Sequence, residues 1–370
     1  MFLPPSLAPP PSFATTADHP KKDGHPEGRC CIGPIEDSGL AGKDLSSPPQ
    51  SLRYTGAMRI VSLLPSATEI LFALGFDEEI LGVSHECDFP PQAATRRRVI
   101  SSRIPHGLSP SEIDRIVSEY VARGESLYSV DAAALEELAP ELIVTQDLCL
   151  VCAASPDDLA AVLAKSSHHP RVVSLNPRNI ADVWSDILRV GEVTGRTARA
   201  RSLVAGLEAR LAGVAEKITA RTRPRVVLLE WLNPLFIGGH WVPEMIARAG
   251  GEDVLGQVGK PSVRITHEQV ISAAPEILLI APCGYDARQA RDEYLRTSFQ
   301  PGWETIPAVG DGRVFALEAT AYFSRPGPRL ATGVEVLAKI FHPAIEVSSE
   351  AARSFLPIVP ETSAARTVSV

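Results

Sequence analysis

Residues 58–75, MRIVSLLPSATEILFALG, combine a short apolar run, a turn at a proline and a segment with helical apolar spacing. This stretch predicts a buried strand followed directly by a helix. Later in the chain, similar β-branched runs alternate with helical or loop segments; they are EILGVS (79–84), ELIVTQ (141–146), RVVSLN (171–176), RVVLLEW (225–231), EILLI (276–280) and RVFALE (313–318). Such runs are typical of parallel strands covered on both faces. The sequence therefore predicts an α/β protein.

Length and composition divide the chain into five segments. Its 370 residues exceed the ~100–200 residues of one domain. Residues 1–57 are rich in Pro and Ser and lack apolar periodicity, which predicts a disordered extension. The strand–helix pattern predicts an N-terminal α/β lobe at 58–178 and a C-terminal α/β lobe at 224–343, with linking helices at 179–223. Residues 344–370, rich in Ser, Ala and Glu, are expected to form a loose tail.

A single long helix is predicted between the lobes, at residues 197–222. Its apolar residues recur every three or four positions, at Ala200, Leu203, Leu207, Leu211, Val214 and Ile218. One stripe at the helical period indicates an amphipathic helix. Thr197 is a candidate N-cap, and Pro224 is expected to stop the helix. About 25 residues at 1.5 Å each give ~38 Å, enough to join two lobes.

Charge and hydropathy exclude two classes of partner. The net charge is −8, and the longest basic run is Arg96-Arg97-Arg98, so an extended nucleic-acid surface is not expected. No stretch reaches the ~20 apolar residues of a membrane span, so the protein is expected to be soluble and not membrane-embedded. Neither Met1 nor Met58 opens a recognisable signal peptide. This favours a cytoplasmic location, in which thiols stay reduced. The alternative is a periplasmic location, if the sequence holds an export signal in another form.

Six blocks of sequence carry a family resemblance. In chain order they are RIVSLLPSATEILFALG (59–75), EILGVSHECDFPP (79–91), LEELAPELIVTQ (135–146), LNPLFIGGHWVPEMIARAGGEDVL (232–255), THEQVISAAPEILLI (266–280) and FSRPGPRLATGVEVLA (323–338). They resemble the class III substrate-binding proteins of cobalamin and iron-chelate ABC importers, above all the cobalamin-binding, BtuF-like branch. The resemblance implies two Rossmann-like lobes bridged by one helix, with ligand held in the cleft between them. It also implies a transporter partner, with Glu268 as a docking residue.

Ten residues are expected to contact the ligand: Pro65, Ser66, Thr68, Glu86, Trp231, Phe236, His240, Trp241, Tyr322 and Arg325. Phe236 and Arg325 match the resembled cobalamin binders. Glu86 stands where those proteins have Tyr, and Ala321 where they have an acidic residue. Because most of the flat aromatic contacts are missing, cobalamin or another corrinoid is one candidate among metal chelates.

The segment PSATE (65–69) allows two interpretations. Ser66 and Glu69 have the spacing of a capping box, in which Ser66 caps the helix. Alternatively, the free amides of the helix N-terminus hold an anionic ligand group. Arg325 and Arg329 would then supply the opposing charge to the ligand, or would simply clamp their own loop.

Four cysteines follow predicted strands. Cys87 follows the strand at 79–84, Cys149 and Cys152 follow the strand at 141–146, and Cys283 follows the strand at 276–281. Because ligands bind at the carboxyl ends of parallel strands, these thiols are expected to reach one cleft together with His85. Thiolates and imidazole suit Zn²⁺ or another thiophilic ion, or the metal of a bound chelate. A redox pair, or cysteines in an apolar core, remains the alternative.

The leading hypothesis is a cytoplasmic ligand-binding protein that holds a metal chelate such as a corrinoid, or a metal ion, between its lobes. A thiol- or metal-dependent enzyme on the same fold is one alternative, although G-x-G-x-x-G, P-loop and G-x-S-x-G motifs are absent. The substrate-binding component of an ABC importer is the other alternative.

Overall fold

A computed structural model describes residues 58–105, 107–146 and 156–358, which form two α/β lobes. The predicted disordered extension at 1–57 lies outside the described residues, as do Cys149 and Cys152. The prediction of an α/β protein with two Rossmann-like lobes is confirmed.

The N-terminal lobe (N-lobe) alternates strands and helices. Its strands are β1 (Ile60–Ser62), β2 (Ile80–Val83), β3 (Arg97–Arg98), β4 (Ile100–Ser102), β5 (Tyr128–Val130), β6 (Leu142–Gln146) and β7 (Arg171–Leu175). Its helices are α1 (Pro65–Ala73), α2 (Pro110–Arg123), α3 (Ala132–Leu138), α4 (Pro156–Leu163) and α5 (Ile180–Val193). Five strands form a parallel sheet in the order β3-β2-β1-β6-β7, and β4 pairs with β5 in a separate antiparallel ribbon.

The C-terminal lobe (C-lobe) follows the linking helix α6 (Thr197–Ile218). Its strands are β8 (Arg225–Leu232), β9 (Leu235–Ile237), β10 (Glu252–Asp253), β11 (Val263–Arg264), β12 (Ile277–Ile280), β13 (Val314–Leu317) and β14 (Phe355–Pro357). Its helices are α7 (Val242–Arg248), α8 (His267–Ala273), α9 (Ala287–Arg296), α10 (Pro307–Gly310), α11 (Ala319–Tyr322) and α12 (Leu330–Phe341).

The C-lobe sheet is mixed, which differs from the fully parallel sheet expected. Strands β10, β8, β12 and β13 are parallel, whereas β9, β11 and β14 run antiparallel to their neighbours in the order β11-β9-β8-β12-β13-β14. The reason lies in the connections. A short turn at Asn233 and Pro234 connects β8 to β9, so β9 runs antiparallel to β8. A next strand parallel to β8 would need a long crossover connection, usually a helix.

Side-chain alternation builds three apolar layers. In β8, Val226 and Leu228 face a central cluster, while Val227 and Leu229 face a cluster on the opposite side of the sheet. In β1, Ile60 joins the same central cluster and Val61 faces a third. Because successive side chains of a strand point to opposite faces, both faces of each sheet are buried. The central cluster is shared by the two lobes.

Helix α6 runs from one lobe to the other. Near its start, Arg199 Nε donates to the carbonyl of Ala73 at 3.0 Å in the N-lobe. Near its end, Lys217 Nζ donates to the carbonyl of Glu346 at 2.9 Å in the C-lobe. Its 22 residues span ~33 Å at 1.5 Å each, slightly less than predicted.

Both predicted ends of α6 are wrong in detail. Thr197 is the first helical residue, and Arg196 occupies the N-cap without a side-chain capping bond. The helix ends at Ile218, before Pro224 can terminate it. The chain leaves the helix early because Thr219 to Pro224 lead into β8, whose start is fixed by pairing with β10 and β12.

The prediction of a loose tail from residue 344 is also wrong as far as residue 358. Strand β14 pairs antiparallel with β13, and Ile345, Ala351 and Ile358 are buried. The segment orders because it covers an otherwise open sheet edge and completes a core, which its Ser- and Ala-rich composition conceals.

Candidate ligand-binding cleft

Three sets of contacts show that the carboxyl edges of the two sheets face each other. The loop after β2 meets the loop after β13, where Asp88 pairs with Arg325. The start of α1 meets Gly327. A Cβ added to Gly327 would lie 3.5–3.8 Å from atoms of Ser66 and Glu69. At the other side, the amide of Ile180, the first residue of α5, donates to Glu244 of α7 at 2.9 Å. The residues between these contacts line an interlobe cleft.

Four charged residues, the interlobe ion cluster, consist of Glu69, Asp88, Arg325 and Arg329. Arg329 Nε donates to Glu69 Oε2 at 2.9 Å, and its Nη2 donates to Oε1 at 2.5 Å. Arg325 Nη1 lies 2.5 Å from Asp88 Oδ1 and 3.7 Å from Glu69 Oε1. Burial raises the pKa of Glu69, and the two guanidinium groups oppose that rise. The arginines are therefore matched by carboxylates from the other lobe.

A cavity of about 290 Å³ lies beside the ion cluster. Its lining residues are Glu69, Phe72, Ala73, Phe89, Pro90, Gln92, Pro328 and Arg329. This volume is at the lower limit of ~300–1,000 Å³ for small-molecule sites. Its lining comes from both lobes, along α1 and the loops after β2 and β13, and does not include the aromatic residues at the strand ends of the C-lobe.

Aromatic side chains stand at the carboxyl edge of the C-lobe sheet. Trp231, at the end of β8, and Tyr285, after β12, are half-buried and have ring centroids 6.2 Å apart at 71°. Phe236 of β9 is also half-buried and pairs across the strands with Trp231. These side chains form an aromatic corner with one exposed side.

His240, in the loop after β9, is held in an unusual backbone conformation. Its φ is +53°, a region that non-glycine residues rarely adopt. Its amide donates to the carbonyl of Lys260 at 2.6 Å. Burial, followed by the charge of Arg178 from the N-lobe, lowers the pKa of His240 and favours the neutral imidazole. A neutral imidazole has a nitrogen lone pair for a metal or a hydrogen bond.

The N-lobe contributes a second aromatic pair at the loop after β2. The rings of His85 and Tyr128 are 5.6 Å apart at 45°. Glu86 is more than half exposed, and its carbonyl accepts from Arg325 Nη2 at 3.0 Å. Arg98 of β3 donates to the carbonyls of Ser84 and Cys87 and so supports the same loop.

Several predicted ligand residues are committed to the interior instead. Thr68 is fully buried, and its hydroxyl donates to Ser62 Oγ at 2.8 Å. Trp241 is buried and donates to the carbonyl of Phe323, while the Tyr322 hydroxyl donates to Glu350 at 2.7 Å. The prediction that Thr68, Trp241 and Tyr322 contact the ligand is therefore corrected. These side chains are buried, and their polar atoms form hydrogen bonds within the protein.

The segment at 65–69 fits neither sequence interpretation in full. Pro65 is the first residue of α1, Leu64 is its N-cap, and Ser66 lies inside the helix. Ser66 is only 2% exposed, and its hydroxyl has no hydrogen-bond partner among the described residues. Glu69 does not complete a capping box, because its carboxylate accepts two hydrogen bonds from Arg329. The helix start is covered by the loop after β13.

The structure does not support Cys87 as a metal ligand. This residue is fully buried, its sulfur lies 3.0 Å from Thr68 Oγ1 and 3.1 Å from Ser84 Oγ, and burial raises the pKa of its thiol. Zinc requires a thiolate, so Cys87 is a core residue. Cys283 is exposed on the loop after β12. Within the described part of the chain no three His, Cys, Asp or Glu residues form a metal-holding group.

Two residues of the cleft were missed from the sequence. Tyr285 follows β12 in the same loop as Cys283, so the rule that selected that cysteine would also have found it. Asp88 lies two residues after Glu86 and gave no local signal, because its partner Arg325 is 237 residues away in the chain.

Comparison with known proteins shows what the chain is similar to. A family model described as periplasmic binding protein matches residues 60–321. A vitamin B12-binding protein of Photorhabdus laumondii is 24% identical over 296 residues, covering 79% of this chain and 90% of the relative. An uncharacterised ABC transporter substrate-binding lipoprotein of Bacillus subtilis is 24% identical over 300 residues, covering 77% of this chain and 80% of the relative.

Solved structures share the fold. The periplasmic vitamin B12-binding protein of Vibrio cholerae has a TM-score of 0.58 at 20% identity, covering 78% of this chain and 98% of that protein. A periplasmic heme-binding protein of Pseudomonas aeruginosa has a TM-score of 0.60 at 21% identity, covering 79% of this chain and 96% of that protein.

The predicted cytoplasmic location is wrong. The matching family and the solved relatives are periplasmic, and the Bacillus subtilis relative is a lipoprotein, which together point to a place outside the cytoplasmic membrane. Among the described residues, no helix has the length and apolar character to span a membrane.

Proposed function

The chain belongs to the periplasmic binding protein family, and from this premise we propose that it is the substrate-binding component of an ABC importer. It captures a metal chelate outside the cytoplasmic membrane and presents it to a transporter. The relatives named for vitamin B12 and heme support this class of ligand.

The observation that carries the proposal is the aromatic corner of Trp231 and Tyr285 at the carboxyl edge of the C-lobe sheet. Half-exposed aromatic rings at this edge offer area for a flat ligand at low entropic cost. The N-lobe adds the half-buried ring of His85, which packs against the buried Tyr128, so each lobe supplies a ring to the proposed site. We propose a planar tetrapyrrole chelate, either a corrinoid or a heme, as the ligand.

The remaining predicted contacts complete this proposal. Glu86 and Arg325 supply polar groups from opposite lobes, and Phe236 extends the aromatic corner. Pro65, half-buried at the start of α1, stays a proposed contact. His240 offers a neutral imidazole for the metal centre or for a side group of the chelate. The involvement of Cys149 and Cys152 stays a prediction, because they lie outside the described residues.

Titration of ligand-free protein with cyanocobalamin, hemin and a ferric siderophore tests the proposal. Quenching of tryptophan fluorescence reports binding, and calorimetry gives the affinity. We expect saturable binding of a tetrapyrrole and a loss of about tenfold or more in Trp231→Ala, since a lost aromatic contact is worth ~1 kcal/mol or more. Leu295→Ala is the control, because this exposed apolar residue of the same lobe lies on α9. Failure of all three chelates to bind would overturn the proposal.

A further inference from the structure

Arg264 of the edge strand β11 continues the aromatic corner across the C-lobe sheet. It is paired directly with Phe236 of β9, and Phe236 is paired with Trp231 of β8. We propose that Arg264 binds a carboxylate group at the rim of the chelate, so that the ligand is an anionic chelate such as a carboxylate-bearing tetrapyrrole. This inference rests on the proposed function, to which it adds a contact and a charge.

The register of three strands places Trp231, Phe236 and Arg264 in one row on one face of the sheet. Residues directly opposite each other in antiparallel strands have their side chains on the same face. Ile237 belongs to the apolar cluster on the other face, and Ile265 borders that cluster. Because successive side chains alternate, Phe236 and Arg264 point away from it. With strands ~4.8 Å apart, the row extends ~10 Å from the first residue to the last.

The charge of Arg264 is not matched by a carboxylate in contact with it. Arg264 is exposed, and among the described residues its side chain has no hydrogen bond and no salt bridge. By contrast, Arg325 and Arg329 are bound by Asp88 and Glu69 from the other lobe. A ligand carboxylate would have to displace a protein carboxylate from either of those arginines. Arg264 can bind it directly, through the two parallel hydrogen bonds that a guanidinium offers.

Helix α2 shows that Arg264 faces the N-lobe. Strand β4 directly follows β3, so α2 begins beyond the carboxyl end of β3. After the helix, Tyr128 of β5 contacts His85 in the loop after β2. Burial raises the pKa of the half-buried Asp114 on α2, and the charge of Arg264 opposes that rise. The two groups are therefore within electrostatic reach of each other, and the end of the row lies in the space between the lobes.

The opposite charges of Arg264 and Asp114 give the cleft a means of distinguishing chelates. A carboxylate at the ligand rim is attracted by Arg264 and repelled by Asp114, whereas an uncharged amide interacts more weakly with both. Hemin carries carboxylates at its rim, and hemin dimethyl ester has the same macrocycle without these charges. The two compounds therefore isolate the contribution of the carboxylates from that of the aromatic corner.

Titration with hemin and with hemin dimethyl ester tests the inference. We expect the wild type to bind hemin about tenfold more tightly than the ester, and Arg264→Gln to lose this preference, because hydrogen bonds between charged groups are the stronger ones. Arg288→Gln is the matched control and should keep the preference. Arg288 is exposed on α9, a helix that packs on the face of the sheet opposite to the row.

Asp114→Asn should have the opposite effect. Removing this charge is expected to tighten the binding of hemin about threefold and to leave the affinity for the ester unchanged, because a like charge near the ligand carboxylate is lost. Glu119→Gln, on the exposed side of the same helix, is the control and should change neither affinity. Weaker binding of hemin to folded Asp114→Asn would contradict the repulsion.

The outcomes separate this inference from the proposed function. Equal affinities of the wild type for hemin and the ester, or an unchanged preference in folded Arg264→Gln, would overturn the role of Arg264 and leave the function standing. The same holds if another chelate binds and hemin does not. Loss of the preference in Arg288→Gln as well would show an effect of net charge and would also overturn that role. Failure of every chelate to bind would overturn both.

Discussion

At the scale of single residues, burial decides the chemistry of side chains that look alike in the sequence. Cys87 and Cys283 both follow strands, yet Cys87 is enclosed by hydroxyls and apolar groups, and Cys283 is exposed. Only an accessible thiolate reacts or binds a metal readily. The two positions therefore differ in reactivity for reasons that are not local.

Thiol labelling should distinguish these two cysteines. We expect Cys283→Ser to remove a fast-reacting thiol from the native protein, and Cys87→Ser to leave the native labelling unchanged. Burial and the raised pKa protect Cys87 until the protein unfolds. Labelling with a chromogenic disulfide reagent in buffer and in denaturant measures both, and fast native labelling at Cys87 would contradict its assignment to the core.

Asp186 on α5 predicts a pH dependence of stability. Burial raises the pKa of its carboxyl from 3.8 to about 6, and one carboxylate oxygen has no partner among the described residues. The folded state therefore binds this proton more tightly than the unfolded state. The contribution of Asp186 to stability is thus most favourable below pH 4 and is lost as the pH rises through about 6.

Asp186→Asn should consequently raise the free energy of unfolding at pH 7.5 by roughly 1–3 kcal/mol, with little change near pH 4. Urea unfolding at the two pH values measures the difference. Asp311→Asn is the control, since Asp311 is exposed. An equal effect of Asp186→Asn at both pH values would show that the carboxyl is not titrating between them.

At the scale of elements, α6 holds the lobes together through one apolar stripe. Leu207 and Leu211 are buried against the central cluster, whereas Leu203 only borders it. We expect Leu207→Ala or Leu211→Ala to lower the free energy of unfolding by about 2–5 kcal/mol, because each leaves a cavity. Leu203→Ala should cost less. Chemical denaturation compares the three variants, and equal costs would mean that the stripe is not buried as described.

Strand β14 is the second element that decides stability. A chain ending at Pro343 loses the β13–β14 pairing, the bond from Tyr322 to Glu350 and the buried Ile345. It should therefore unfold at a markedly lower temperature than the full chain. A chain ending at Ile358 keeps these contacts and is the control. Similar melting temperatures for both truncated chains would contradict a structural role for the tail.

At the scale of the whole molecule, contacts on both sides of the cleft predict a small response to ligand. One helix links the lobes, Ile180 and Glu244 join them at one side, and the interlobe ion cluster joins them at the other. We expect the radius of gyration to change by less than about 1 Å on binding a chelate, unlike proteins that close around a hinge. Scattering with and without ligand measures it, and a larger contraction would refute the fixed width.

The sequence by itself determined the class of fold, the linking helix and the positions of seven strands, β1, β2, β6, β7, β8, β12 and β13. Periods of two and of three to four residues are local properties, and they survive in the single chain. It also indicated which loops meet between the lobes, because parallel strands place their carboxyl ends at one edge.

Only the tertiary structure decided which polar groups meet. Arg329 and Glu69 are 260 residues apart in the chain, and Arg325 and Asp88 are 237 residues apart. Likewise, no local pattern distinguishes the buried Cys87 and Thr68 from residues that line a cleft, and none reveals that a Ser- and Ala-rich tail supplies a strand. Burial and pairing depend on segments distant in sequence, and they appear only when the lobes pack together.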